Sequence, residues 1–286
     1  MRARASSVLR QVRFQAVAAA FSVFFVGPYL WAVASSFKTI QEIGAYPPTL
    51  FPHVWQWHNY VQAWTQQPLG RWTLNSVIVT FSSVIGLTIS CAAAAFGFAR
   101  FRFAGRDVLF LVLIGTLILP REVTLVPLFI LFRTFHWLNT LLPLIVPNFF
   151  AFGGNGAFLI FMLRQAFMTI PREYDEAAKV DGASSLWIFS RVIVPLSAPT
   201  LITVAVFAFL FNWNEFLYPL IFVSNAAHFT LPVGLRFYQT LGADSRQNYE
   251  HLLMAASILA SLPPIILFFI GQRYLVEGSV TSGLKS

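Results

Sequence analysis

Residues 173–195 read EYDEAAKVDGASSLWIFSRVIVP. The stretch is charged at its start, helix-forming along most of its length, and set between two apolar segments of membrane length. Pro171 suits the first turn of a helix, where it has no amide proton to lose, and Glu173, Asp175 and Glu176 favour the positive end of the helix dipole. A short helix is expected from about Pro171 to Val180. Gly182 is the residue type that turns left-handed past a helix end, and Ser184 can cap a second helix running to Pro195. Two short helices at an angle result. Ala177, Ala178, Val180, Ala183, Leu186 and Phe189 give them small and apolar faces that fit a groove, although nothing here is apolar enough to enter lipid.

Outward from this loop the chain is built for a bilayer. Of its 286 residues, 57% are hydrophobic and 10% charged, where soluble domains carry about 25% charged residues. Charge-free runs extend from Phe14 to Phe37, Trp72 to Ala99, Val192 to Asn214 and Leu252 to Gln272. Each reaches the roughly 20 residues a helix needs to cross the hydrocarbon. A fifth begins at Val108 and is interrupted by Arg121-Glu122. The run from Phe135 to Leu163 is too long for one crossing and is broken by Pro143, Pro147 and Gly153-Gly154. It reads as a crossing from about Asn148 to Met168, preceded by a short helix near the outer surface. The fold class expected is an all-α membrane protein with six transmembrane helices.

The net charge of +8 sets orientation rather than pointing to nucleic acid. With the N-terminus inside, the inner segments hold Arg2, Arg4, Arg10, Arg13, Arg100, Arg102, Arg106, Arg164, Arg172, Lys179, Arg191, Arg273 and Lys285. The outer ones keep Lys38, Arg71, Arg121, Arg133, Arg236 and Arg246. This positive-inside bias turns both termini and the 173–195 loop toward the cytoplasm in a multi-pass membrane protein. The first apolar run exceeds the 7 to 15 residues of a signal-peptide core and reads as a spanning helix, with a cleaved signal as the alternative. The single Cys91 lies in an apolar helix, so no disulfide or cysteine-based metal site is expected.

Glu176-Ala177-Ala178, Asp181-Gly182-Ala183, and then Val192, Val194 and Pro195 fill every position of the EAA signature of importer permeases. The chain therefore resembles the inner-membrane permease subunits of bacterial or archaeal ATP-binding-cassette importers, in the carbohydrate-uptake class typified by the second permease of the maltose transporter. Asn212-Trp213-Asn214-Glu215-Phe216, followed by Pro219-Leu220, is similar to the Trp-Asn-Glu-Phe pattern of that class. Gln272 to Gly278, with Thr281, Gly283 and Lys285 beyond, looks like its C-terminal tail. The resemblance implies a type I permease fold with a first helix and outer loop over 1–70. A core over 71–275 contains the coupling loop 169–195, and a cytoplasmic tail spans 276–286. It also implies partners: a second homologous permease, two cytoplasmic ATPase subunits that bind ATP and Mg, and an extracytoplasmic substrate-binding protein. Glu176, Ala177, Ala178, Asp181, Gly182 and Ala183 are the residues it implies for ATPase coupling, Glu176 by pairing with a basic side chain. No cofactor is expected in this chain, which has no phosphate-binding Gly-x-x-x-x-Gly-Lys-Ser/Thr loop of its own.

Glu215 reads as an acid well inside a long apolar helix, sharing a face with Asn212 three residues earlier. Asn212, Asn214 and Glu215 are accordingly candidates for the substrate pathway or a gate, or for interhelical hydrogen bonds that lock the fold. Arg121 and Glu122 are neighbours in sequence and are expected to serve different partners, mainly at the outer rim. Pro263-Pro264 should kink the last helix, and Gly153, Gly154 and Gly156 should loosen the fourth, as hinges or simply as packing accommodations. Trp55, Trp57, Tyr60 and Trp64 read as a membrane-interface belt, with contact to sugar faces as the alternative, and the resemblance implies that the loop around Gly242 to His251 approaches the binding protein. The competing function is a stand-alone, proton-coupled secondary transporter using Glu215, although no internal repeat is evident. An enzyme is disfavoured, because the five histidines form no His-Glu-x-x-His pair and no Gly-x-Ser-x-Gly elbow occurs.

Overall fold

The computed structural model describes residues 2–152, 155–244 and 249–283, with side chains described apart from 2–10, 12, 240–244 and 274–283. Expectations for Gly153, Gly154, Arg246, Lys285 and the tail side chains from Tyr274 onward lie outside the described residues, as do those for the side chains of Arg2, Arg4 and Arg10 and much of the 242–251 loop.

Every regular element among the described residues is helical. In chain order they are α1 (Arg2–Ser36), α2 (Ile40–Ile43), α3 (His58–Gln66), α4 (Leu69–Arg100), α5 (Arg106–Gly115), α6 (Arg121–Thr134), α7 (Leu142–Ile145) and α8 (Gly156–Thr169). Then come α9 (Glu173–Val180), α10 (Ser185–Ile188), α11 (Val194–Leu196), α12 (Ala198–Trp213), α13 (Leu217–Phe222), α14 (Leu231–Asp244) and α15 (Glu250–Gly283). A π-helical stretch, Phe189–Ile193, joins α10 to α11.

Three segments are long and apolar enough to cross a membrane unaided: Arg13–Ser36, Leu69–Arg100 and Glu250–Arg273. The charge-free run from 192 to 214 is divided between two arms, Ser185–Leu196, where a helix to Pro195 was expected, and Ala198–Trp213, and they meet at 83°. The interrupted fifth run likewise bends, by 99° between Arg106–Ile118 and Arg121–Thr134. Pro120 stands at that corner, where its extended backbone ends one helix and opens the next. The crossing expected over 148–168 is helical only from Gly156, after α7 and a 3-10 turn at Val146–Phe150. In α15 the helix runs through Pro263 and Pro264 without a break.

The chain divides into two compact units. One comprises residues 1–69 and 235–261. Here the Phe37 ring sits among Trp55, Trp57 and Tyr60, at 5.1, 4.7 and 5.1 Å between centroids. Buried Asn59 donates to the carbonyls of Ser36 and Lys38, both at 2.9 Å, and pins the turn after α1. Thr39 and Glu42 form a reciprocal cap on α2, and Glu42 also accepts from the His53 amide at 2.9 Å. These amides, His53 first and Thr39 second, hold the half-buried Glu42 carboxyl below the usual carboxylate range. The side chains of Phe21, Val23, Phe24 and Phe25 along α1 remain exposed, a surface suited to lipid.

The other unit comprises residues 70–234 and 262–286. Its core is a seam of small and branched side chains: Leu87, Cys91, Ala92, Ala95, Phe96 and Ala99 of α4 against Leu159, Ile160, Leu163 and Phe167 of α8, with Ile188, Ile193, Val204 and Ala208. Small residues at one face of α4 let backbones approach closely, which is where van der Waals packing supplies the attraction in lipid. Gly156, read as a hinge or a packing accommodation, is the second of these. A Cβ there would lie 1.8 Å from the Ala151 carbonyl oxygen, so the glycine permits a tight backbone approach.

Candidate functional site

Two places in the second unit gather functional chemistry. The first is the 169–195 loop. α9 closes with two bonds, from the Gly182 amide to the Lys179 carbonyl at 3.0 Å and from the Ala183 amide to the Ala178 carbonyl at 2.9 Å. Gly182 stands at φ 81° between them. This is a Schellman termination, which needs a left-handed residue at that position. Ser184 then caps the next helix by accepting from the Trp187 amide at 3.3 Å. Three residues, Asp181, Gly182 and Ala183, separate the end of α9 from the cap of α10, as the sequence led one to expect.

The loop has two faces. Asp175 is buried, and Ala178, Ala183 and Phe189 pack on the α4–α8 core. Glu176, Ala177, Asp181 and Gly182 are exposed, with Tyr174, Val180, Leu186 and Trp187 beside them. Val180 is 87% exposed and Leu186 73%, an uncovered apolar surface on a charged loop.

The second place is a small cavity of about 50 Å³, walled by apolar side chains such as Leu128, Phe132 and Phe222. Its polar groups come from separate parts of the chain. Arg121 Nη1 donates to Glu215 Oε2 at 3.1 Å, and Nη2 to Asn155 Oδ1 at 2.7 Å. Asn148 Nδ2 donates to Ser83 Oγ at 2.8 Å, to the Leu144 carbonyl at 2.8 Å and to Asn212 Oδ1 at 3.4 Å. Buried Thr230 lines the same space with a hydroxyl that has no partner. Arg121, Asn155, Phe211 and Glu215 also line an open groove next to it, so the ion pair borders both.

A model of the family described as the binding-protein-dependent transport system inner membrane component matches residues 85–278, more than half of the chain. The chain belongs to this family. Among its relatives is the diacetylchitobiose uptake system permease NgcG of Streptomyces coelicolor, 35% identical over 278 residues covering 95% of this chain and 89% of that protein. The sn-glycerol-3-phosphate transport system permease UgpE of Yersinia pestis is 33% identical over 262 residues, 89% and 90% of the two chains. In fold the chain is similar to a subunit of a bacterial ABC transporter involved in alginate import, with a TM-score of 0.80 at 20% identity over 94% of this chain and 97% of the other. The fold is thus that of a type I ABC permease, and the protein is a multi-pass inner-membrane transport component rather than an enzyme.

Within this permease the residues singled out from sequence fall in different settings. Glu215 is not inside a long helix. α12 ends at Trp213, and Glu215 occupies the break before α13, where Oε1 accepts from the amides of Leu217 at 3.1 Å and Tyr218 at 3.3 Å. Asn212 is the last-turn residue that joins the Asn148 network, donating also to the Ala208 carbonyl at 2.8 Å. Asn214 is exposed and returns its amide to Leu210 of its own helix at 2.8 Å. Arg121 is a partner of Glu215 rather than a rim residue alone. Sequence reasoning overlooked Asn148, Asn155 and Thr230, because a single amide or hydroxyl in an apolar run carries no partner information. It also read Asp175 only as a helix-start residue. The break before Glu215 had a signal in Pro219, whose ring would meet the Glu215 carbonyl in a continuous helix.

Proposed function

We propose that this permease is one of two transmembrane halves of an importer for a sugar or sugar-like solute, and that it takes its drive from a cytoplasmic ATPase through the 169–195 loop. The exposed face of that loop carries the reading. A helix of eight residues with an uncovered apolar edge and the acid Glu176 beside it suits a groove in a partner better than water or lipid. The reading has the two bent pairs and α8 joining the three long helices as six crossings, with both termini cytoplasmic. Residues 1–70 act as an entry helix and outer loop, 71–275 as the transport core and 276–286 as the tail. ATP and Mg belong to two partner ATPases, and a second homologous permease and a binding protein complete the machine. Relatives named for chitobiose and glycerol-phosphate uptake support a hydroxyl-rich solute.

The solute would pass the Arg121–Glu215 pair, with Asn212 and Asn214 on the same path. The pair borders both cavity and groove, a suitable position for a gate, and ATP binding biases two alternating arrangements by stabilising one of them. A proton-driven transporter working alone through Glu215 loses support from membership in a binding-protein-dependent family. Gentle extraction of the tagged chain followed by mass spectrometry tests the proposal. An ATPase and a second permease should co-purify, and Glu176→Lys should abolish uptake and release the ATPase while leaving membrane insertion intact. Uptake at the parent level in Glu176→Lys would remove the coupling role.

A further inference from the structure

Asp175 is the only buried acid among the described residues. Its Oδ2 lies 3.4 Å from Arg100 Nε, and the two side chains are 12% and 5% exposed. Arg100 is the last residue of α4, and its Nη2 also donates to the Ile170 carbonyl just past α8, at 3.1 Å. One guanidinium therefore touches the ends of α4 and α8 and the start of α9. The remaining contacts of α9 with the core are small: Ala178 packs there, as does Ala183 beyond its end. Eight residues are too few to hold a helix in water without such attachment. A buried ion pair is a poor source of stability compared with apolar packing, so what it adds is a fixed geometry.

We infer that Arg100 and Asp175 are positioning residues that transmit displacement of the coupling loop into the cavity. α4 leads from Arg100 back to Leu87, Ser83 and Val79; Leu87 and Val79 line the cavity, and Ser83 holds Asn148. Force applied to the exposed face of α9 reaches α4 through the charge pair, and α4 carries it to the cavity wall. Without the pair, α9 can shift against two alanines while α4 stays in place. This inference rests on the proposed docking of an ATPase to the loop.

The test uses the whole co-purified complex in lipid nanodiscs, with a Phe216→Cys reporter in the open groove and ATP plus vanadate as the only effectors. In the parent, ATP–vanadate changes the maleimide labelling rate of the reporter. Asp175→Asn and Arg100→Gln should each shrink that change by roughly fivefold or more, in the range of ordinary coupling energies. The ATPase should remain bound and continue to hydrolyse ATP. The double variant should be no worse than either single one, and Arg100→Lys should keep most of the response. A parent-level response in Asp175→Asn overturns the inference. Loss of the ATPase from Asp175→Asn overturns it as well, because the pair would then serve only to keep the loop folded. A parent complex that contains no ATPase fails at an earlier step: the docking proposal falls first, and the inference with it.

Discussion

At Gly182 the backbone stands at φ 81° and nothing lies within 4 Å of where a Cβ would be, whereas at Gly156 the Cβ would strike the Ala151 carbonyl. The first glycine is required by conformation and the second by space. Gly182→Ala should cost about 1–2 kcal/mol, the strain of a left-handed L-residue. Gly156→Ala has no flexible neighbour to displace and should cost about 3 kcal/mol, at the upper end of ordinary overpacking. Thermal unfolding of the detergent-purified chain distinguishes them, and an equal loss of stability would contradict the assignment. From sequence, Gly182 was legible because a termination signal is local: glycine after a helical run, with serine two residues on. Gly156 was not, because the atom it makes room for belongs to Ala151, five residues back, and no spacing rule pairs the two.

Among elements, the break between α12 and α13 makes Glu215 a cap as well as an ion-pair partner. Glu215→Gln keeps an oxygen for the amides of Leu217 and Tyr218 and loses only the charge interaction with Arg121, whose side chain is 36% exposed. That pair is partly wet, so its loss should cost no more than about 1 kcal/mol. Glu215→Ala also frees two amides and should cost about 2 kcal/mol beyond the Gln variant. Chemical or thermal unfolding of the two variants side by side measures this, and identical stabilities would refute the capping role. Hydropathy located the helices because apolar length alone defines a candidate span. It left the 83° and 99° angles unread, although Arg121-Glu122 and Pro195 marked where the corners fall, because an interruption in an apolar run carries no angle. The polar cavity was half legible: Asn212 and Glu215 share a motif, but Asn148, Asn155 and Arg121 reach them from distant parts of the chain.

For the molecule as a whole, the proposal makes the two ends of the membrane core chemically distinct compartments. Cys91 is the single cysteine and is buried, so thiol labelling has little background. Lys179→Cys should react with an impermeant maleimide only in inside-out vesicles, and Trp57→Cys only in spheroplasts; the reverse pattern would invert the topology. The corner at Ser197 adds a mechanical property. Hydrogen bonds from the Ser197 amide to the Ile193 carbonyl and from the Leu201 amide to the Ser197 carbonyl, each 3.0 Å, tie Ser197 to the arm on either side of it. The arms Ser185–Leu196 and Ala198–Trp213 are about 18 Å and about 24 Å long at helical rise. With the corner held they form a bell crank: about 3 Å of travel at the Ser185 end becomes about 4 Å at Trp213, turned through nearly a right angle. Glu215 lies two residues past the end of the longer arm.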